Sequence, residues 1–534
     1  MADIDLDKFR LRRFVEKLDE MGEVHHHDEP IDLSDLSSAY EISDKALLFK
    51  QAGPEKLELV ANVNGSRKRV AAALGVSEEE SLAEYQRRLA NPQPVVEIPN
   101  DEAPCRQVVL TGDDIDLTKL PFHVQHRFDG SAYLSSGIDY TVDPDTGITN
   151  VGARRLSLRN KTTAGTNVTA PSDLKRIYQG CVARGEKLPI NFAIGGHPLD
   201  FLAAGMRVPA DEITLVGTLR GEPVPLVKGL TNDVRVPADA EMILEGYFAE
   251  QGYIEPDGPY GEYVGYYGPM HLDPVYHVTA ITMREDVLHQ TLLHGAGYNL
   301  QRCDSSNLLS VRGENQVYTV LKNVNIQVVD VYIPPASAEG QHVRVSIKQQ
   351  RPGQARSAIT ALFGAMFGAK HIFVVDEDIN IRDEHHWEWA MVSRFQADKD
   401  IMVMNGMAGM PMDPSLDHGI FGAKAGFDMT LPMHRRHELA LTPSVAPKLT
   451  GTARYQTVEQ ALEESGPLFF SDVMDVLGSR DGREIALQLD ELRAEGKLMR
   501  DSDGRYLLGE APKGSTGLYG PQKEDPNRFT GTSR

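Results

Sequence analysis

The sequence predicts a mixed α/β protein with an α+β opening domain, a β-rich middle, an α/β layer and a small helical unit near the C-terminus. Three observations lead to this fold class: helical apolar spacing near the N-terminus, short β-rich runs between turn signals, and alternating helices and strands after them. At 534 residues the chain is too long for a single hydrophobic core. We expect domain segments over 1–104, 105–325, 326–450 and 451–510, and a disordered tail over 511–534.

The opening domain combines helices with short strands. Apolar residues between positions 9 and 21 have helical spacing, and Gly22 ends the pattern. The runs 46–49 and 57–60 are typical of strands, and the segment 67–74 predicts another helix.

The two following regions differ in the order of their elements. Between 105 and 325, short strands alternate with turn signals, which is typical of either a β-barrel or a β-sandwich. One helical insertion fits 171–184 in this region. Between 326 and 450, a small-residue helix at 358–367 precedes an apolar strand at 370–375, and such alternation predicts an α/β layer.

The unit over 451–510 resembles a winged helix in the order of its elements. Short amphipathic segments at 457–464, 470–477 and 483–495 precede two strands that flank the turn 501–504. A winged helix can read DNA, but the second and third helices carry at least as many acidic as basic residues. We therefore favour an interaction or packing module over a DNA reader. The polar tail, rich in Gly and Pro, is expected to be disordered.

Composition excludes several classes of partner. The formal net charge is -22, with 77 acidic against 55 basic residues, which disfavours binding to nucleic acid or to anionic membranes. No apolar run approaches the ~20 residues that span a bilayer, and the acidic N-terminus is unlike a signal peptide. The 3 cysteines are widely spaced, so no disulfide framework is expected. A cytoplasmic location is the default prediction.

Two segments carry the residue types of a catalytic site. In Asp257-Gly-Pro-Tyr-Gly-Glu262, two carboxylates lie on a loop that Gly and Pro keep from regular structure. The segment from Asn150 to Arg155 offers an amide and a fixed positive charge at the same spacing. Acids on a constrained loop are more often catalytic than acids on a solvated helix face.

Oxygen-bearing side chains also suggest a metal site. Asn150, Asp173 and Glu212 each lie beside a turn or a helix start. Hard oxygen ligands suit Mg²⁺ or Mn²⁺, which often bridge to phosphate. Acids near turns are mostly solvated, so spacing alone leaves a solvated surface as the alternative.

The chain resembles the UbiD-like decarboxylases of hydroxyarylic acids, which use prenylated FMN. The resemblance extends from about residue 11 to about residue 432, and it rests on the segments 150–155, 206–212, 223–233, 257–262 and 373–378. It implies that the middle region is a split β-barrel that binds the flavin. It also implies that 326–450 forms a homodimer or larger homo-oligomer, with the Met-rich stretch 402–412 as a candidate contact. The cofactor would come from a flavin prenyltransferase.

The resemblance implies roles for individual residues at the cofactor. Asn150 and Glu212 match ligands of a divalent ion, Mn²⁺ or Mg²⁺, that binds the flavin phosphate; K⁺ is a further candidate. Asp173 stands where a ligand His is common in the family. The residues that would line the flavin are Asn150, Val151, Gly152, Ala153, Arg154, Arg155, Ser172, Gly205, Met206 and Glu212.

At the reacting carbon, the family uses an Arg and two acids, and these match Arg155, Asp257 and Glu262, with Asp257 in place of the usual Glu. The implied reaction is reversible, non-oxidative decarboxylation of an aromatic or heteroaromatic acid. Loss of CO₂ leaves a carbanion that needs an electron sink, which the flavin supplies. Arg155 would orient the carboxylate, Asp257 would anchor Arg155, and Glu262 would protonate the carbon.

The substrate is the least determined feature. His294 and Arg302 are candidates for its pocket, with a surface loop as the alternative. Small residues at 295–297 leave room for a bicyclic or tricyclic ring, so phenazine-, indole-, pyrrole- and furan-type acids all stay open.

Two other functions stay open at this point. One is a regulator whose large domain senses an aromatic acid and whose winged-helix unit binds DNA. The other is a plain flavin reductase with a split barrel, which would not need the arginine and its two acids.

Overall fold

The computed structural model describes residues 4–208, 210–338, 340–366, 368–416 and 421–510. The chain divides after Thr430 into two compact units. The predicted disordered tail over 511–534 lies outside the described residues.

The first unit opens with helices around a small sheet. Its elements are α1 (Leu11–Glu20), β1 (Val24–His27), α2 (Leu36–Glu41), β2 (Ala46–Ala52), β3 (Leu57–Ala61), α3 (Arg67–Leu74), α4 (Ser81–Leu89) and β4 (Val95–Glu97). Helix α1 buries Leu11, Phe14, Val15 and Leu18, which lie on one face at helical spacing. The Ser66 side chain caps α3 by accepting from the Arg69 N–H.

The middle of the first unit is rich in strands. Its elements are β5 (Val108–Thr111), β6 (Tyr133–Val142), β7 (Thr149–Leu158), β8 (Thr163–Gly165), α5 (Asp173–Arg184), β9 (Leu188–Ile194), α6 (Pro198–Ala204), α7 (Ile213–Arg220), β10 (Val224–Lys228), β11 (Arg235–Pro237), β12 (Met242–Phe248), β13 (Glu255–Asp257), β14 (Tyr260–Gly261), β15 (Tyr267–Gly268), β16 (His271–Asp273), β17 (Val275–Met283) and β18 (His289–Thr291).

Six of these strands close a barrel. They follow the order β12, β9, β6, β7, β8 and β17, and β17 pairs back to β12. This closure confirms the barrel that the family resemblance implied and excludes the sandwich. Buried side chains such as Leu156, Phe192, Leu244 and Tyr276 form its core. Strand β18, which follows barrel strand β17 in the chain, joins the N-terminal sheet beside β3 and so connects the middle region to the opening domain.

The last part of the first unit is an α/β layer, as predicted. Its elements are α8 (Asp304–Asn323), β19 (Val328–Tyr332), β20 (His342–Ile347), α9 (Gln354–Ala365), β21 (His371–Asp376), α10 (Glu384–Arg394), β22 (Ile401–Ala408) and β23 (Phe421–Met429). The sheet order is β19, β20, β21, β23 and β22, and the three central strands are parallel. Buried residues of α8 and α9 form one core with the sheet, and Trp387 of α10 belongs to another.

The second unit contains three short helices and a hairpin. They are α11 (Val458–Ser465), α12 (Phe470–Leu477), α13 (Arg483–Ala494), β24 (Leu498–Arg500) and β25 (Tyr506–Leu508). This is the order of elements that the sequence predicts, and the residues Val458, Val473, Ile485 and Leu498 share one core. Its assignment as a winged helix stays a prediction.

The sequence predicts neither a membrane-spanning segment nor a disulfide framework. Among the described residues, no helix combines the length and apolar character needed to cross a bilayer. The cysteines Cys105, Cys181 and Cys303 are all buried and free.

Candidate active site

Arg155 is the centre of the candidate site. It lies on barrel strand β7 and is buried. Its Nη1 donates to Oδ2 of Asp257 at 2.6 Å, and its Nη2 lies 3.8 Å from Oε1 of Glu262. The guanidinium carbon lies 4.8 Å from the ring centroid of Tyr133 and 4.3 Å from that of Tyr260. The structure therefore brings the three predicted catalytic residues together, and aromatic faces stabilise the buried cation.

The electrostatic environment separates the two acids. Burial is the largest single influence and favours the neutral form of Asp257, but the charges of Arg155 and Arg159 and the hydrogen bonds to the carboxylate together outweigh it, so the pKa of Asp257 is lowered below its usual value. Burial raises the pKa of Glu262, and the Arg155 charge offsets this only in part. Such a separation marks one carboxylate that stays ionised and one that can carry a proton.

Two residues that the sequence analysis missed hold the backbone of the Glu262 loop. Asp129 accepts the Gly261 N–H through Oδ1 at 3.0 Å, and its other oxygen accepts the His126 N–H at 2.9 Å. One ring nitrogen of His126 lies 3.2 Å from Asp129, and the other bonds to the Gly295 carbonyl. The only sequence signal was a loop with His and Asp-Gly around 123–130.

A close approach explains one glycine of this site. A Cβ on Gly295 would lie 2.5 Å from the Glu262 carbonyl oxygen and 2.8 Å from that of Gly261. A larger residue at 295 would therefore displace the loop that carries Glu262.

The opposite end of β7 carries the predicted metal ligands. Glu212 is buried, and its Oε2 accepts the Val151 N–H at 2.8 Å. Its own N–H donates to the Thr149 carbonyl at 3.1 Å, so Glu212 is bonded to both chain neighbours of Asn150. Burial raises the pKa of Glu212, because its carboxylate has a backbone donor as its partner rather than a cation. This donor set fits a hard divalent ion.

Asp173 lies beside this group but faces outwards. It is the first residue of α5, whose N-cap Ser172 accepts the Lys175 N–H. The Asp173 side chain is 52% exposed and lies 3.7 Å from Arg176. Its charge contributes to the raised pKa of Glu212.

The predicted flavin-lining residues lie along β7 and the segment after α6. Arg154 pairs with the buried Asp139 at 2.9 Å, and burial raises the pKa of Asp139 to about 6. A Cβ on Gly152 would lie 2.7 Å from the same carboxylate. On the same strand, Val151 is buried and Ala153 is exposed.

The chain after α6 contributes the other two predicted lining residues. Met206 accepts from the Tyr85 hydroxyl through sulfur at 3.0 Å, and the Gly205 carbonyl accepts from Arg312. Both residues are therefore fixed by neighbouring elements.

The two predicted substrate residues have different surroundings. The Nε2 of His294 lies 3.1 Å from the Ser135 carbonyl, and its ring lies 6.4 Å from Tyr260. Burial lowers the pKa of His294 to about 4, so the ring is neutral at pH 7. Arg302 pairs with Asp44 of the opening domain at 2.7 Å.

A cavity of about 740 Å³ reaches Glu262. One wall is formed by Glu262 and residues 295–297, and another by the loop 122–127. Ser34 and Ser37 add hydroxyl groups from the opening domain. The cavity thus combines a carboxyl group of raised pKa with space for a ring system.

Three family models match the chain in succession. They are described as the N-terminal domain of 3-octaprenyl-4-hydroxybenzoate carboxy-lyase, over residues 15–89, the Rift-related domain, over 96–297, and the C-terminal domain, over 307–429. All three matches lie within the first compact unit.

Solved structures of UbiD-class enzymes share this fold. HmfF from Pelotomaculum thermopropionicum in complex with FMN is 30% identical, with a TM-score of 0.76 over 82% of this chain and 97% of that chain. An evolved dimeric form of HmfF, in complex with prFMN, is 29% identical, with a TM-score of 0.73 and coverages of 82% and 97%. Vanillic acid decarboxylase from Sedimentibacter hydroxybenzoicus is 26% identical, with a TM-score of 0.71 over 87% and 98% of the two chains. The chain therefore belongs to the UbiD family of carboxy-lyases.

Proposed function

We propose that this protein catalyses reversible, non-oxidative decarboxylation of an aromatic or heteroaromatic carboxylic acid with prenylated FMN. The observation that carries the proposal is the buried Arg155 between Asp257 and Glu262, two acids whose pKa values shift in opposite directions. The complexes of HmfF with FMN and with prFMN support the choice of cofactor.

The cofactor would bind along β7. Asn150 and Glu212 would hold a Mn²⁺ or Mg²⁺ ion at its phosphate, with Asp173 as a third ligand after a change of side-chain conformation. The buried Glu212 carboxylate, which has no cationic hydrogen-bond partner among the residues that the structure describes, supports this role. K⁺ stays a further candidate. When bound, prenylated FMN supplies the electron sink for the reaction.

Arg155 and the two acids beside it would then orient the substrate and transfer the proton. Arg155 orients the substrate carboxylate through its planar fork, while the ionised Asp257 fixes the guanidinium. The bond to the carboxylate carbon breaks and its electron pair stays with the ring portion of the substrate. Glu262 delivers its proton to that ring carbon, CO₂ leaves, and Glu262 regains a proton from solvent.

The cavity supports a ring-containing substrate but leaves its identity open. Its volume of about 740 Å³ accommodates phenazine-, indole-, pyrrole- or furan-type acids. His294 and Arg302 stay candidates for contact with polar groups on the ring.

We further propose a homodimer or larger homo-oligomer formed through the α/β layer. Val403 and Phe421 are 58% and 67% exposed on the paired strands β22 and β23. Met402, Met404 and Met407, from the Met-rich stretch, pack against the core of this layer instead. The exposed side chains between and beside them are therefore the better candidate contact. The dimeric form of HmfF supports an assembly of this kind.

The test is co-expression with a flavin prenyltransferase, on which cofactor supply should depend, followed by mass and visible spectra of the bound cofactor. The purified protein is then offered the four classes of acid, and loss of substrate and release of CO₂ are measured. We expect prenylated FMN and turnover of at least one class. Incubation with the decarboxylated product and bicarbonate tests the reverse direction.

Two results would favour the alternatives. Plain FMN with hydride transfer from a nicotinamide cofactor would support a flavin reductase. Tight binding of an aromatic acid without turnover, together with salt-sensitive DNA binding, would support a regulator. The predicted absence of nucleic-acid and membrane partners and the cytoplasmic location also stay predictions.

A further inference from the structure

A second cluster of ligand-bearing side chains lies behind Asp257. Strands β13 and β16 form a two-stranded antiparallel ribbon in which Asp257 is paired with His271. Asp273 lies two residues after His271, so its side chain points to the same face of the ribbon. This ribbon thus places two carboxylates and an imidazole side by side.

The three side chains converge on one point. One oxygen of Asp257, Nδ1 of His271 and one oxygen of Asp273 all lie within 4.8 Å of one another. Asp257 is 2% exposed and Asp273 is 0% exposed. Oδ1 of Asp257, Nδ1 of His271 and Oδ2 of Asp273 are buried atoms without a hydrogen-bond partner among the described residues. Buried polar atoms of this kind require an ion or a water molecule to satisfy them.

The remaining oxygens of the two carboxylates are already used. Oδ2 of Asp257 accepts from Arg155 at 2.6 Å, and Oδ1 of Asp273 accepts the Val168 N–H at 2.9 Å. Each carboxylate is therefore oriented by one oxygen, and its other oxygen, Oδ1 of Asp257 or Oδ2 of Asp273, has no hydrogen bond among the described residues. Ligands of metal ions are commonly oriented by such outer hydrogen bonds.

The pair of His271 and Asp273 accounts for only part of the arrangement. Nδ1 of His271 lies 2.7 Å from Oδ2 of Asp273, which is close enough for an ion pair with a protonated ring, and this contact raises the pKa of His271, but its alignment is not that of a regular hydrogen bond. Arg159 lies 3.8 Å from Oδ1 of Asp257, beyond hydrogen-bond distance, and the Pro256 carbonyl accepts from its Nη2. Oδ1 of Asp257 is thus left without a hydrogen bond beside the His271–Asp273 pair, which leaves an acceptor oxygen for an ion shared by the three side chains.

We propose that Asp257, His271 and Asp273 bind a divalent metal ion, Mn²⁺ or Zn²⁺, at a site separate from the predicted flavin-phosphate ion. Two carboxylates and one imidazole suit both metals and leave positions for water. Asp257 would then bridge the ion and Arg155, so the ion would help to fix the carboxylate that anchors the guanidinium. The proposal depends only on these side chains and not on the proposed decarboxylase activity.

The test is a Mn²⁺ titration of the full-length protein after removal of bound metal by a chelator. Glu212→Gln serves as the background, because it removes the predicted flavin-phosphate ion from the count. Titration at about pH 8 lowers the competition of protons for the ligand atoms. Free Mn²⁺ is measured by electron paramagnetic resonance, and Zn²⁺ is tested by competition.

We expect about one Mn²⁺ per chain in the background protein, and binding at least tenfold weaker after adding Asp273→Asn or His271→Gln. Glu255→Gln is the matched control, because Glu255 pairs with Asp273 on the same ribbon but is outside the cluster. It should bind Mn²⁺ like the background. His271 is partly exposed, so its variant tests the site even if Asp273→Asn fails to fold.

Two results would overturn the proposal. One is equal Mn²⁺ affinity in the Asp273→Asn, His271→Gln and Glu255→Gln proteins. The other is a background protein that binds neither Mn²⁺ nor Zn²⁺, which would leave a water molecule as the group between these side chains. Since no decarboxylation is measured, neither result bears on the proposed reaction.

Discussion

Carboxylates contact strand β7 near both of its ends, but the groups that stabilise their negative charge differ. At the Asn150 end, the buried Glu212 has a backbone N–H as its partner. At the Arg155 end, Asp257 and Glu262 share one buried guanidinium. Burial raises the pKa of Glu212 at one end and of Glu262 at the other, because it disfavours an ionised carboxylate.

This difference separates binding from proton transfer. A buried acid without a cation gains most from a metal ion, which suits the Asn150 end to holding a cofactor phosphate. At the Arg155 end, the guanidinium of Arg155 already supplies a cation, and it stabilises the charge of Asp257 more than that of Glu262. Variants at the two ends should therefore fail in different ways.

The largest effect is expected for Glu212→Gln. It removes the negative charge that a divalent ion needs, so the purified protein should lose both metal and flavin, and activity with them. Metal analysis and the flavin absorbance measure this directly. Asp211→Asn is the control, because Asp211 bonds to the Thr149 N–H of the same strand and keeps an acceptor oxygen when substituted. Full flavin occupancy in Glu212→Gln would contradict the assignment of this end.

Glu262→Gln should lower decarboxylation by about two to four orders of magnitude, the usual contribution of a general acid. Gln keeps the size of the side chain but cannot deliver the proton. Flavin and metal should remain bound, in contrast to Glu212→Gln. The measurement is single-turnover decarboxylation with matched cofactor occupancy.

Incorporation of deuterium from the solvent is a second test of the protonation step. In the wild-type protein it should appear at the ring carbon that lost CO₂. Near-normal turnover of Glu262→Gln would move the proton donor to Asp257 or to water.

Arg155→Lys should reduce kcat/KM by about tenfold to a hundredfold. A lysine keeps the charge but loses the planar fork that contacts Asp257 and orients a carboxylate. The control is Arg159→Lys, a neighbouring arginine 3.8 Å from the same aspartate, which should have little effect. Equal losses in the two variants would indicate that only the local positive charge matters.

Local signals in the sequence predicted much of the fold. Helix α5 was expected over 171–184 and extends from Asp173 to Arg184, because Ser172 caps its start and Gly185 ends it in a left-handed conformation. Local signals could not distinguish a barrel from a sandwich, since both consist of short strands separated by turns. It depends on the pairing of β17 with β12, which joins distant parts of the chain.

Prediction of the candidate site was limited in the same way, because contacts between distant segments leave no local signal. Arg155, Asp257 and Glu262 could be named because their segments resemble a family pattern. Asp129 could not, since its contact with Gly261 spans more than a hundred residues and depends on how the barrel closes. Asp173 was named as a ligand, but as the first residue of a helix its side chain faces solvent. The sequence pattern therefore named this residue but could not predict the orientation of its side chain.

The smallest effect is a shift in pH dependence. Because Glu262 must be protonated to act, kcat/KM should fall as pH rises through its pKa, which burial raises above the ordinary value of 4.5. The negative charge of Asp257 contributes to that rise. Asp257→Asn should therefore move the falling limb to lower pH, since it removes a like charge and leaves Arg155 to interact with Glu262 alone.

The measurement is the pH profile of kcat/KM for the wild-type protein and Asp257→Asn, with the residual activity of Glu262→Gln as the control. That residual activity should lack the limb, because the group that titrates has been removed. A limb that persists in Glu262→Gln, or that moves to higher pH in Asp257→Asn, would contradict the assignment. In either case the titrating group would not be the carboxyl group that shares Arg155 with Asp257.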